Sequence, residues 1–154
     1  PAYLPYLLLA YNQVYKIFPD IRDIFAPPFD RVVPELFDGC KTLDEINSAL
    51  PSIPLQMLRK DFLQDFLERA DHPLRLALRQ NDLYNWKPQA LTTLYHSLED
   101  EQVPYENTRK AYETFCRNGA ARVTVHSLEA GTHTGVALTI LNMAKVWFDT
   151  IRHA

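Results

Sequence analysis

The stretch YHSLEDEQVPYENTRKAYETF, residues 95–115, decides how the chain is read. It leaves an apolar segment, sets Glu99, Asp100 and Glu101 side by side, closes on Val103-Pro104 and enters an amphipathic helix. Upstream, LTTLYHS (91–97) has the composition of a strand and is bounded by Pro88 before it and charge after it. Downstream, a helix over 107–118 ends at Gly119, a residue suited to the left-handed conformation past a helix end. ARVTVHSL (121–128) supplies a second strand. Residues 135–152 form a long helix whose broad apolar face includes Val136, Leu138, Ile140, Leu141, Met143, Val146, Trp147 and Ile151. Strand, loop, helix, strand, loop, helix is the order of parallel units, so the fold class expected is α/β. Two strands cannot bury both faces of a sheet, which makes the sheet incomplete in this chain.

Working back from residue 90, the period changes. Helices are expected over 4–18, 21–25, 28–38 (closed by Gly39), 42–50, 59–71 and 74–79. Thr42 and Glu45 have the spacing of a capping box, and Pro73 stands at a first helical position. The prolines cluster here, in APPFDRVVP (26–34) and PSIPL (51–55), where they bend and punctuate short helices. Residues 1–72 therefore read as a mostly helical cap, and 73–154 as the α/β segment.

Length and composition bound the rest. The chain's 154 residues, 47% of them hydrophobic, suffice for an ordinary domain with a core. A net charge of -3 without a Lys/Arg cluster argues against nucleic acid as a partner. The apolar run YLPYLLLAY (3–11) lacks a basic leader and a small-residue cleavage site and is too short to span a bilayer, so neither a signal peptide nor a transmembrane segment is expected from it. Cys40 and Cys116 are too few for a disulfide framework and lack metal or redox spacing.

Ligands of open parallel sheets sit beyond the carboxyl ends of the strands. Both polar loops occupy that position, LEDEQVP (98–104) after the first strand and EAGTHTG (129–135) after the second. Adjacent parallel strands would bring Asp100 and His133 to one edge. An Asp that accepts from one imidazole nitrogen fixes the tautomer and stabilises the imidazolium, freeing the other nitrogen to act as a base. Asp100 and His133 are thus the candidate catalytic residues, with Glu99 and Glu101 as fallback acids.

These residues carry a resemblance. TLYHSLEDEQVPYENTRKAYETFCRNGA followed by VTVHSLEAGTHTG resembles the C-terminal part of an α/β-hydrolase, nearest to the secretory lipase and carboxylesterase branch. That family's acid loop, Gly-x-x-Asp-x-x-Val-Pro, falls on Ser97 through Pro104, with Ser97 in place of Gly. The family's His-Gly becomes His133-Thr134-Gly135 here, and residues before 90 resemble a helical lid. The resemblance implies a serine carboxylic-ester hydrolase without cofactor, an apolar ester or lipid as substrate, and an extracellular or periplasmic location. The family nucleophile lies in a Gly-x-Ser-x-Gly elbow. None of Ser48, Ser52, Ser97 and Ser127 has that setting, so the implied partner is an N-terminal hydrolase half, as a separate chain or a segment absent from this sequence. Alone, the chain is expected to be inactive and poorly stable.

Other groups have plainer roles. His96 and His126 lie in strands and are expected to pack or face solvent, His72 to cap a helix, and the histidines do not supply the convergent ligands of a zinc site. Cys116 is expected buried or half-buried, and a bridge to Cys40 is conceivable in an exported protein. Tyr3, Tyr6, Tyr11, Tyr15, Phe18, Phe25, Phe29 and Phe37 are core by default, or partly the lining of an acyl pocket. Alternative readings are a non-catalytic ligand-binding protein, a helical interaction module, and a peptidase or acyltransferase on the same fold.

Overall fold

The computed structural model describes residues 1–152; His153 lies outside the described residues. The chain divides into two compact units, Pro1–Asn81 and Asp82–Ala154.

The first unit is helical: α1 (Tyr3–Tyr15), α2 (Phe29–Leu36), α3 (Leu43–Ser48), α4 (Lys60–Glu68) and α5 (Pro73–Gln80), with 3-10 turns at Ile21–Ile24 and Pro54–Met57. α1 stops at Lys16, which takes a positive φ of 52° while its N–H returns to Asn12 O. α3 opens on the full capping box, Thr42 Oγ1 accepting from Glu45 N and Glu45 Oε2 from Thr42 N. The core gathers Leu8, Phe25, Val33, Ile46, Met57 and Leu74. One feature escapes a helical reading: Phe25 pairs antiparallel with Leu58, flanked by Ala26 N to Met57 O at 2.8 Å and Arg59 N to Ile24 O at 2.9 Å. Those bonds satisfy main chain that would otherwise be buried unpaired between two prolyl-rich turns.

The division falls after α5, not at 72/73. Leu74 is buried in the helical core and Leu78 packs against it, which on burial alone holds α5 there by about 1.5–3 kcal/mol per fully buried Leu. His72 caps α5 as expected, its Nδ1 accepting from Leu74 N at 3.1 Å.

The second unit is a βαβα piece: β1 (Thr92–Ser97), α6 (Glu106–Arg117), β2 (Val123–Leu128) and α7 (Ala137–Arg152). β1 and β2 pair in parallel, from Thr92 against Val123 to Ser97 against Leu128. In-register neighbours interact across the strands, Thr93 Oγ1 with Thr124 Oγ1 at 3.0 Å and Tyr95 stacked on His126 at 5.4 Å. The segment before β1 closes over α6, Trp86 meeting Phe115 edge-on at 5.3 Å. Gly119 turns the chain out of α6 at φ +82°. α7 has no buried residue, and Leu138, Leu141, Val146 and Phe148 are all exposed. Among the described residues the sheet has two strands, and no helix is long and apolar enough to cross a membrane.

Candidate active site

The loops after β1 and β2 leave the same edge of the sheet, as parallel pairing requires. The first is an Asx turn: Asp100 Oδ1 accepts from Gln102 N at 2.9 Å and Val103 N at 2.8 Å. Two main-chain donors on one oxygen orient the carboxylate, so that Oδ2 faces the second loop and accepts from His133 Nδ1 at 2.7 Å. The Asp100 side chain is 7% exposed, whereas that of His133 is 41% exposed. Nδ1 must carry the proton it donates, which leaves Nε2 as the basic nitrogen. Nε2 has no hydrogen-bond partner among the described residues. Burial pushes the Asp100 carboxyl up, but the bonds from Val103 N, His133 and Gln102 N outweigh it and hold the group at about 2.

The flanking acids bond main chain and not the His133 ring. Glu101 Oε2 accepts from the His133 main-chain N–H at 3.0 Å, and Glu99 Oε2 accepts from Gly131 N at 3.2 Å. Three consecutive carboxylates therefore hold three points of one facing loop. That contact with His133 N is the leading reason the Glu101 carboxyl lies below its usual range. Ser97 adds a fourth tie: it is fully buried, and its Oγ donates to Gly131 O at 2.6 Å. Where the family pattern has glycine, this hydroxyl fastens the acid strand to the histidine loop.

Gly131 is required by that loop. Its φ is +122°, and a Cβ there would lie 2.5 Å from Val136 Cγ1. Val136, buried just before α7, thereby packs against the loop. Asp100, His133, His96, Ser97 and Val136 together line a cavity of about 180 Å³.

His96 is the group that sequence reasoning underrated. It is buried, with Nδ1 2.6 Å from Thr108 Oγ1 on α6 and Nε2 2.9 Å from Val103 O and 3.4 Å from Asp100 Oδ2. Its position four residues before Asp100 gave no sign of these partners; only its alternation with Tyr95 placed it on the other face of β1. His126, by contrast, is exposed and stacks on Tyr95. Cys40 and Cys116 are free and exposed, which corrects the expected burial of Cys116 on the outer side of α6. Among the described residues no group of three or more His, Cys, Asp or Glu is placed to hold a metal ion.

In the helical unit, a larger cavity of about 650 Å³ is lined by Tyr3, Tyr6, Leu9, Phe37, Lys41 and Ile46 among others. Tyr3 and Tyr6 are 68% and 61% exposed, so they belong to this lining and not to the core, where Phe25 is fully buried.

A parallel strand-helix-strand piece with an acid turn after the first strand and a histidine loop after the second, joined to a helical unit, is the C-terminal architecture of an α/β-hydrolase, and this chain has that fold. Its likeness to solved structures is direct. A candidate hydrolase from Legionella pneumophila is 28% identical over 97% of this chain with a TM-score of 0.87, and the rice cell wall degrading esterase LipA from Xanthomonas oryzae is 30% identical over 82% with a TM-score of 0.75. The chain spans 40% and 34% of the lengths of those proteins. No family model matches the chain, and no curated protein does.

Proposed function

We propose that the chain carries the acid and the base of a serine carboxylic-ester hydrolase, with the nucleophile and oxyanion donors on an N-terminal half that this sequence does not contain. The observation that carries this reading is the 2.7 Å contact of His133 Nδ1 with Asp100 Oδ2 beyond parallel strands, leaving Nε2 accessible. In the assembled enzyme, Nε2 takes the proton of the serine hydroxyl as its oxygen attacks the ester carbonyl. It returns that proton to the departing alcohol, then removes one from the water that releases the acid. Asp100 stabilises the imidazolium in both half-reactions. Backbone donors of the other half stabilise the tetrahedral oxyanion.

The apolar, tyrosine-lined cavity of the helical unit supports a substrate with an apolar acyl or alcohol group, and we assign that unit the role of a lid. Likeness to a cell wall degrading esterase favours an extracellular or periplasmic site of action. The test is turnover of p-nitrophenyl acetate and labelling by a fluorophosphonate in the complete hydrolase. His133→Ala is expected to abolish turnover and slow labelling at least 1,000-fold, on the order expected for loss of a triad base, without loss of fold. Turnover retained in that variant overturns the reading.

A further inference from the structure

Asp100 Oδ2 faces two imidazoles. His133 Nδ1 lies 2.7 Å away and His96 Nε2 3.4 Å away. The proton inventory of His96 follows from its partners. Val103 O can only accept, so Nε2 carries the hydrogen that it donates, and Nδ1 pairs with the Thr108 hydroxyl at 2.6 Å. The Nε2–H is directed at Val103 O, and Asp100 Oδ2 lies beside that bond at 3.4 Å, a close polar contact and not a second hydrogen bond. Val103 closes the circuit, since its own N–H donates to Asp100 Oδ1 at 2.8 Å.

From this geometry we infer that His96 is a positioning residue of the acid: it pins the Val103 carbonyl, the Val103 N–H in turn holds Asp100 Oδ1, and the carboxylate is thereby kept with Oδ2 toward His133. The inference rests on the proposed pairing of Asp100 with His133. Without the His96 ring, the Val103 carbonyl loses its donor, and the Asx turn can rotate the carboxylate away from Nδ1. His96 itself is anchored to α6 through Thr108 and packs edge-on against Tyr105 at 5.6 Å, so its ring has one orientation. The chain thus runs from α6 through Thr108, His96, the Val103 peptide and Asp100 to His133, each link a hydrogen bond. Buried at 9% side-chain exposure, His96 is remote from solvent, and it serves the base only through the acid.

The experiment compares His96→Phe, His96→Gln and Thr108→Val in the complete hydrolase, with Asp100→Ala and His133→Ala as references. Two readouts are taken: kcat and KM on p-nitrophenyl acetate, and the far-downfield proton resonance of His133 Nδ1–H. Gln places an amide N–H near the position of Nε2 and serves as the conservative variant. Thr108→Val withdraws the anchor from the helix side if His96→Phe fails to fold.

Expected is a fall in kcat of roughly 10-fold or more in His96→Phe, the scale on which outer partners of functional histidines act, with KM within 2-fold and partial recovery in His96→Gln. The downfield resonance weakens in His96→Phe and Thr108→Val. Unchanged kcat and an unchanged resonance in both variants, while His133→Ala is inactive, overturn the role of His96 and leave the proposed function standing. Should His133→Ala retain turnover, the proposed function fails, and the resonance still decides whether His96 orients Asp100.

Discussion

The His133 main-chain N–H donates to Glu101 Oε2 at 3.0 Å, while its ring donates to the preceding residue in sequence, Asp100. Adjacent carboxylates thus divide one histidine between them, one holding the backbone and one the side chain. Glu101→Ala is expected to lower kcat of the complete enzyme several-fold with KM unchanged, because only the approach of Nε2 is loosened. Glu101→Gln keeps an acceptor and should retain most activity. Steady-state kinetics on both variants check this; equal losses in the two would mean that charge, and not the bond, matters.

Asp100→Asn tests the tautomer. The amide retains an oxygen for Gln102 N and Val103 N, and so presents its NH2 to His133 Nδ1. Nδ1 must then accept, the proton moves to Nε2, and the base is lost. A fall of kcat by about 10,000-fold is expected, with the fold intact by circular dichroism.

Two buried groups, one in each unit, add to the response to acid of the paired surface carboxylates such as Asp20 and Asp61. The Asp100 carboxyl is held at about 2, below its unfolded value of about 3.9. Its stabilising contribution is complete above that unfolded value and is lost as pH falls to about 2. His72 is also depressed, because burial disfavours its charged form, with the nearby Asp65 opposing. The unfolded chain therefore binds a proton that the folded chain refuses as pH falls through about 6.5, and stability declines from there. Urea midpoints measured from pH 8 to 3 should show the higher step vanish in His72→Gln and the lower step shrink in Asp100→Asn.

Gly131→Ala should strain the histidine loop. Its positive φ and the 2.5 Å approach to Val136 Cγ1 both oppose a methyl group, with a combined cost of about 1–3 kcal/mol. A lowered melting temperature is expected, and Val136→Ala in the same background should restore part of it by clearing the contact. If the double variant is no better than the single one, the backbone conformation alone carries the cost.

Periodicity made most of this legible. The parallel order of β1 and β2 followed from the alternation of periods, and the rule that loops beyond the carboxyl ends share an edge brought Asp100 to His133. Local chemistry likewise revealed the Thr42 cap and the His72 cap, whose partners lie within three residues. Partners distant in sequence were not legible. Nothing local tells that Glu99 and Glu101 reach main-chain donors more than thirty residues away, or that His96 bonds Thr108. The placement of α5 depended on where Leu74 is buried, and the exposure of Cys116 on which side of α6 faces outward, both tertiary facts. Ser97 read as a departure from the family pattern; its hydroxyl turned out to supply the bond to Gly131 O.

The fastening of loop 97–103 to loop 131–133 is internal to one unit, so on the proposed function the acid and the base travel together. Whatever brings the nucleophile has a single preassembled pair to meet, and one docking event replaces two independent alignments. A gene encoding such an enzyme could be cut between serine and acid, and its two products recombined, without the pair itself ever being taken apart.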